Sequence, residues 1–274
     1  MGDSGTCRHG MPCTRYWRPN DRFGENVVED ASSSTSTAVS SSRLQVVDTL
    51  RGVAIGLMVL YHFSFDLNYF HVLNIDFNHE SFWLGLRSVI VSLFVGLVGM
   101  SLHLAAMRAR FGQAFLRRLG LVTGCAVLVT LASAVMFPRS VIFFGVLHFI
   151  AVATLLGRPM VRFYRANLVI GLVLLIVGLA VQHPVFDHPA LQWIGMMTHK
   201  PVTEDYVPLL PWFGVVLIGM FIGRTLCLPG LAPVREWRSD RSPVRALAFL
   251  GRHSLLVYML HQPLLFAVLY LVLR

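Results

Sequence analysis

The stretch LRGVAIGLMVLYHFSFDL, residues 50–67, decides the solvent in which this chain folds. Between Arg51 and Asp66 it runs fourteen residues without a formally charged side chain. A run of this kind forms most of the roughly 20 apolar residues that a helix needs to cross a bilayer. The stretch also carries His62 one helical turn before Asp66, which places an imidazole and a carboxylate on one face of the predicted helix.

The composition of the whole chain agrees with a membrane environment. Of its 274 residues, 55% are hydrophobic and only 14% are charged, and the mean hydropathy is +0.64. These values are typical of integral membrane proteins rather than of soluble domains. We therefore predict an all-α, polytopic integral membrane helix bundle of about seven spans, at residues 52–70, 82–106, 117–137, 141–156, 167–182, 209–226 and 253–273.

The positive charge of the chain is distributed unevenly between the two sides of the predicted bundle. The net charge is +9, but most of the arginines fall in alternate connections, beginning with Arg43 and Arg51 before the first span. Under the positive-inside rule this pattern predicts a cytoplasmic N-terminus. The basic balance thus indicates topology and lipid contact, and we expect no nucleic-acid partner. A homo-oligomer is compatible with the sequence.

The ends of the chain and its longest loop differ from the spans. Residues 1–42 are polar and Ser/Thr-rich, and we predict a disordered cytoplasmic tail ahead of a transmembrane domain at 43–274. The segment 183–208 is long and polar but contains Trp193 and Ile194. We expect it to pack as a lid over the outer helix ends.

Four ionisable side chains from three of the predicted spans are expected at similar outer depth. They are His62, Asp66, Arg87 and His148. Charged groups inside a bilayer cost at least about 2.5 kcal/mol near its centre, so they normally face the bundle interior and pair with one another. One interpretation is structural, with an Asp66–Arg87 ion pair and neutral, satisfied histidines. The other is a polar cavity in which a histidine oriented by a carboxylate moves a proton or an acyl group.

Four stretches carry a resemblance to a known family. They are RLQVVDTLRGVAIGLMVLYHFSFDLNYF (43–70), FFGVLHFIAVA (143–153), THKPVTEDYVPLLPWFGVVLIGM (198–220) and LGRHSLLVYMLHQPLL (250–265). Together they resemble small bacterial membrane proteins grouped with the catalytic region of heparan-alpha-glucosaminide N-acetyltransferase. The last stretch is also similar to the end of the acyltransferase-3 type membrane enzymes.

This resemblance implies transfer of an acetyl group from cytoplasmic acetyl-CoA to an extracytoplasmic sugar amine or hydroxyl, such as an envelope glycan. It also implies a multi-pass protein of the bacterial inner (plasma) membrane. The family's active-site histidine lies in the first outer loop, and the matching position here is His79 in FNHESFW. We expect no metal cofactor.

The chemistry of acyl transfer suggests roles for the remaining candidates. His79 or His62 would be the base, with Asp66 orienting His62 and His148 as a further candidate, and Arg87 could stabilise the oxyanion. The phosphates of CoA would be bound by bidentate contacts from the arginines of one connection: Arg108, Arg110, Arg117 and Arg118.

Two other classes of function remain open at this point. His62, Asp66 and Arg87 could form the relay of a proton-coupled transporter. Histidines within spans, namely His62, His148 and His261, could also ligate haem.

Overall fold

The computed structural model describes residues 44–107 and 111–273, and these residues are helical with no strand. The predicted tail at 1–42, as well as Arg108 and Arg110, lie outside them. The helices are α1 (Gln45–Tyr69), α2 (Ser81–Ala106), α3 (Phe111–Met136), α4 (Val146–Met160), α5 (Arg165–Ala180), α6 (Leu209–Thr225), α7 (Ala232–Glu236), α8 (Ser242–Arg252) and α9 (Ser254–Leu273). The all-α prediction is therefore confirmed.

Each of the seven predicted spans corresponds to one helix, although their lengths differ. Four helices, α1, α2, α3 and α9, are long and apolar enough to cross a membrane alone. A fifth span results if α6 is joined to the segment Pro229–Glu236, which bends away by 92°. α4 and α5 have 15 and 16 residues, less than the roughly 20 that a full crossing takes. The count of seven stays a prediction.

The helices of the bundle pack in two main groups. α6 packs between α2 and α5, while α1 packs against α2, α8 and α9. α2 is shared by both groups, and α3 packs against α4. Glycines permit the closest approaches: Gly99 of α2 meets the Val216 carbonyl of α6, and Gly219 of α6 meets the Gly96 carbonyl. Such small residues are the usual means by which membrane helices approach each other.

α8 was not predicted from the sequence. Its residues Ser242–Arg252 include two arginines, Arg245 and Arg252, and no long apolar run, so the sequence indicates a connection rather than a helix. In the structure its small face, with Ala248 and Gly251 buried, lies against the start of α1. The arginines remain on the other faces, where charge is tolerated.

The segment 183–208 packs against the bundle as predicted. It contains two short 3₁₀ helices, Pro184–Asp187 and Gln192–Ile194. Its last part runs beside residues 140–146, where the Val207 amide donates to the Phe144 carbonyl over 3.2 Å. Met197 and Val207 are buried there, at 8% and 3% exposure. We call residues 183–208 the lid loop.

Candidate active site

The turn that connects α1 to α2 presents His79 at the surface. The Asp76 carboxylate organises this turn, because its Oδ1 accepts hydrogen bonds from the Asn78 amide at 3.0 Å and the His79 amide at 3.1 Å. Glu80 Oε1 accepts from the Asp76 amide at 3.1 Å. An aspartate that bonds the backbone two and three residues on is a common turn-forming device. The result is a locally closed loop immediately before α2.

His79 and Asp76 also pair through their side chains. The Nδ1 of His79 donates to Asp76 Oδ2 over 2.8 Å, and the imidazole is 85% exposed. This hydrogen bond, together with those from the backbone amides, holds the pKa of the Asp76 carboxyl below its ordinary value. Since Nδ1 carries the hydrogen, Nε2 is the proton-accepting atom of the neutral ring. The arrangement is that of a histidine base oriented by a carboxylate.

An aromatic cluster fixes this turn to the bundle. Phe77, which is 5% exposed, lies with its ring centroid 5.5 Å from Tyr61 of α1 and 4.6 Å from Trp83 of α2. Arg87 lies one turn beyond Trp83, and its guanidinium is close enough to the Tyr61 hydroxyl to interact with it. The turn that carries His79, through Phe77, and Arg87, through Tyr61, therefore contact the same cluster.

The predicted contact between Asp66 and Arg87 is wrong. Asp66, only 2% exposed, instead accepts a hydrogen bond from Gln262 Nε2 of α9 at 2.7 Å. The other interaction partner of Arg87 is Lys200 of the lid loop, whose pKa is lowered by burial and by the Arg87 charge. The physical reason is that Asp66 faces α9, whereas Arg87 faces Tyr61 and the lid loop.

His62 also faces α9. Its ring meets that of His261 edge to face, with the centroids 4.9 Å apart. In this arrangement the two rings contact each other directly, with no space for a porphyrin between them. Arg87 does not contact Asp66 directly; Tyr61, whose ring centroid lies 5.8 Å from that of His62, stands between Arg87 and this group.

His148 belongs to a different group, at the beginning of α4. The Gly145 amide donates to His148 Nδ1 at 3.3 Å, and His148 Nε2 lies 3.0 Å from Thr130 Oγ1. Because the Thr130 hydroxyl donates to the Ile142 carbonyl at 2.8 Å, it accepts from the histidine. Nε2 thus links α4 to α3, while Nδ1 accepts from the N-cap residue of α4 itself. This gives His148 a structural role and does not place it with His62.

Asp205 joins the lid loop to this group. Its Oδ2 accepts from the Val146 amide at 2.8 Å and from the Tyr258 hydroxyl at 3.4 Å. Burial raises the pKa of the Asp205 carboxyl, although both hydrogen bonds and the nearby His148 and Lys200 oppose that rise. Asp205 serves as an N-terminal cap of α4, supplied by another part of the chain.

The polar residues that were expected to line a single cavity therefore lie in three neighbouring groups. His62 and Asp66 contact α9, Arg87 contacts Tyr61, and His148 contacts Thr130. Among the residues that the structure describes, no group of three His, Cys, Asp or Glu side chains is arranged to hold a metal ion.

The opposite end of the bundle carries the arginines, and we call it the basic end. Arg117 and Arg118 lie exposed on the first turns of α3, and the Arg118 charge is near that of Arg51. Arg51 Nη2 donates to Ser101 Oγ of α2 at 2.6 Å, and the Arg224 charge acts on the buried His103. Guanidinium groups from several helices thus surround one side, which suits a polyphosphate.

A comparison with known protein families finds a match. Residues 43–263 match the model of the catalytic domain of heparan-alpha-glucosaminide N-acetyltransferase. The chain belongs to this family. Membership indicates a membrane acetyltransferase, as the quoted motifs implied. No curated protein and no solved structure is found to match the chain.

The part matched by the N-acetyltransferase family model runs from just before α1 to Pro263 of α9. It includes the His79–Asp76 pair, Arg87 and the basic end. Sequence reasoning missed three polar partners in this domain, namely Asp76, Asp205 and Gln262. Only Asp76 left a local signal, since it lies three residues before His79 in a polar turn. Asp205 and Gln262 act on partners far away in sequence, which no local pattern records.

Proposed function

We propose that this protein transfers an acetyl group from acetyl-CoA, bound at the basic end, to an amine or hydroxyl of an extracytoplasmic sugar. In this proposal the basic end faces the cytoplasm of a bacterial cell, and the protein resides in the inner membrane. An envelope glycan is the expected class of acceptor. The observation that carries the proposal is the 2.8 Å hydrogen bond from His79 to Asp76, since the resemblance implies that His79 is the active-site histidine.

His79 acts as the general base in this scheme. Its Nε2 removes the proton from the acceptor amine or hydroxyl while that group attacks the thioester carbonyl carbon. The carbon–sulfur bond then breaks, and the proton is returned to the leaving CoA thiolate. Asp76 keeps the imidazole in the required tautomer and stabilises its protonated form, which is how a carboxylate supports a histidine base.

Arg87 is the proposed oxyanion donor. It lies on the same aromatic cluster as the His79 turn, and a fixed guanidinium can stabilise charge that develops on the carbonyl oxygen. His62 and Asp66, which lie on the side facing α9, are not needed for this step. Arg87 therefore keeps the role first expected of it, whereas His62 and Asp66 lose theirs because they contact α9.

The two ends of the site are connected along α2. Arg87 and Ser101 are fourteen residues apart in sequence, or about 21 Å along a helix. Arg117 and Arg118 would hold the CoA phosphates at the basic end, together with Arg51. The acetyl group must therefore reach across much of the bundle to meet the acceptor.

The direct test uses the purified full-length protein in lipid nanodiscs. The protein is incubated with acetyl-CoA labelled in the acetyl group, with glucosamine-terminated and hydroxyl-only sugars as separate acceptors. Release of free thiol together with label on one acceptor supports the proposal, and the stability of the product to hydroxylamine distinguishes an amide from an ester. Neither thiol release nor labelled product with either acceptor would refute it.

A further inference from the structure

Four polar side chains meet between α1 and α9, apart from the His79 turn. His62 and Asp66 come from α1, and His261 and Gln262 come from α9. The two imidazoles are in edge-to-face contact, and the Gln262 amide bonds the Asp66 carboxylate. Asp66 and His261 are only 2% and 9% exposed. This group lies inside the bundle and has no role in the scheme above.

The hydrogen positions on the two histidines follow from their helices. His62 Nδ1 lies 3.0 Å from the Met58 carbonyl, and His261 Nδ1 lies 2.7 Å from the Tyr258 carbonyl. A carbonyl oxygen can only accept, so each Nδ1 carries the hydrogen. In each neutral imidazole, Nε2 is consequently an acceptor.

The group has an excess of acceptors. Asp66 Oδ2, Gln262 Oε1 and His261 Nε2 are all buried without a hydrogen-bond partner. The orientation of the Gln262 amide is fixed, because reversing it would set Oε1 against Asp66 Oδ1. Buried polar atoms in proteins are nearly always paired, and each unpaired one calls for an explanation. Here all three need a donor, and Asp66 supplies one negative charge.

We propose that His62, Asp66, His261 and Gln262 form a binding site for a singly charged cation that donates hydrogen bonds, either an ammonium group or a proton carried by water. One positive charge balances the Asp66 carboxylate. Three N–H or O–H donors match the three buried acceptors, and His62 Nε2 offers a fourth. Such acceptors can also coordinate a metal ion, but among the described residues no three His, Cys, Asp or Glu side chains are arranged to hold one. The site is independent of the proposed acetyl transfer.

Other titratable groups lie on the elements packed around this site. They are Tyr61 of α1, Arg87 of α2, Cys125 of α3, Asp205 of the lid loop, Arg252 of α8, His253 between α8 and α9, and Tyr258 of α9. Asp205 is joined to α9 through the Tyr258 hydroxyl. Any pH dependence must therefore be assigned by substitution at Asp66 rather than from the wild-type curve alone.

The test measures thermal unfolding of the purified full-length protein at fixed pH and equal ionic strength. Four chloride salts are compared: ammonium, methylammonium, tetramethylammonium and sodium. Tetramethylammonium has the same charge but no N–H donor. We expect ammonium and methylammonium to raise the midpoint by about 2–4 °C, as a ligand bound only by the folded state does. The other two salts should leave the midpoint unchanged.

Two variants make the result specific to this site. Asp66→Asn keeps the shape, removes the charge and brings its own N–H donors, so it should abolish the ammonium shift. Gln262→Met removes one acceptor and should reduce the shift, which keeps the test valid if Asp66→Asn does not fold. Asp240→Asn, in an exposed connection, is the matched control and should retain the full shift. An equal shift with tetramethylammonium, or a full shift in Asp66→Asn or Gln262→Met, would overturn the proposal.

A pH series without amines distinguishes the two sources of the cation. If acidification from about pH 8 to about pH 5, the range in which imidazoles titrate, produces an Asp66-dependent rise that ammonium does not increase further, the site takes a proton. If the rise requires ammonium at every pH, it takes an ammonium group. If neither treatment gives an Asp66-dependent shift, the site does not bind such a cation.

Discussion

The exposed imidazole of His79 depends on one neighbour for its orientation. Asp76 receives its Nδ1 hydrogen at 2.8 Å, and the same carboxylate closes the backbone turn on which His79 sits. The orientation of the proposed base and the local fold of the turn therefore depend on a single aspartate. The two effects can be separated, because asparagine retains an oxygen for the turn but lacks the negative charge.

We predict that His79→Ala lowers the rate of acetyl transfer by about 10²- to 10⁴-fold, the usual contribution of a general base. Asp76→Asn should reduce kcat by a smaller factor, because the base remains but its orientation and charge support are lost. Rates are measured as CoA release under saturating acetyl-CoA.

The matched control for this pair is His71→Asn. His71 is another exposed histidine near the end of α1, with a backbone φ of 60°, a conformation that asparagine adopts readily. Its rate should equal that of the wild type. A His79→Ala protein with undiminished rate would remove the assigned base, whereas loss of activity in His71→Asn would indicate a general effect of the loop.

The placement of His79 in the loop between the first two helices could be predicted from the sequence, because long apolar segments lie on either side of it. The contacts of Asp66 could not. A helix places Asp66 and Arg87 at compatible depths, but rotation of each helix about its axis decides which neighbour a side chain faces. That rotation depends on packing between α1, α2 and α9, which one sequence does not reveal.

At the level of the helices, two glycines of α1 are expected to respond in opposite ways to replacement by alanine. The sequence shows Gly52 and Gly56 as a small-residue pair, but only Gly52 contacts α8, at the Leu247 carbonyl. A Cβ added at Gly56 meets nothing within 4 Å. Of the two glycines, only Gly52 is thus used for close packing.

We predict that Gly52→Ala destabilises the protein by about 1–3 kcal/mol, the range for an overpacked contact. Gly56→Ala should be neutral or stabilising by up to about 1 kcal/mol, since alanine is the better helix residue. The measurement is the midpoint of thermal unfolding in one detergent. Equal effects of the two substitutions would show that α8 does not lie against α1 as described.

The lid loop should respond to pH through Asp205. Because its pKa is raised in the folded protein, the stability it contributes is fully present below the ordinary aspartate pKa of about 3.9 and is lost as pH rises through the folded value. We predict that amide protection of residues 201–207, corrected for intrinsic exchange, falls as the pH rises from about 4 towards neutrality. In Asp205→Asn this dependence should be absent.

Asp187 provides the contrasting control in the same loop. Hydrogen bonds from the Thr198 hydroxyl and amide lower its pKa, so its own contribution is lost in the opposite direction, as pH falls. Asp187→Asn should therefore leave the pH response of residues 201–207 unchanged. A response that persists in Asp205→Asn would contradict the assignment.

The lengths of the apolar segments predicted most of the helices. The exceptions are helices, or parts of helices, that are not apolar. α1 begins at Gln45, before the predicted 52, because its first turns are polar and pack on α8. α8 was not predicted because it contains two arginines and buries only small residues, so its sequence has no long apolar run. In both cases tertiary packing, not local hydropathy, determines the helical boundary.

For the whole molecule, the distribution of arginines predicts where CoA binds. Arg118 lies near Arg51 at the basic end, whereas Arg139 is an exposed arginine in the connection after α3. We predict that Arg118→Gln raises the KM for acetyl-CoA by about tenfold, the equivalent of 1.4 kcal/mol, with little change in kcat. Arg139→Gln should leave KM unchanged, and equal effects of the two would exclude a CoA site at the basic end.

The fold class and the membrane setting were predictable because they depend on composition and on the period of apolar segments. The division of the polar residues into separate groups was not, since it depends on which helices are neighbours. His148 illustrates this: its depth suggested a catalytic group, but Thr130 and Gly145 occupy both of its ring nitrogens. The titratable residues within apolar segments indicated where the polar interior of the bundle lies. They did not indicate what each of these residues does.

The most direct test of transmembrane acetyl transfer uses sealed proteoliposomes of known protein orientation. Acetyl-CoA is supplied only on the side of the basic end, and the sugar acceptor only on the side of His79. The account predicts acetylated acceptor in the His79 compartment and free CoA in the other, with both products lost in His79→Ala. Product formation only when both substrates share one compartment would contradict it.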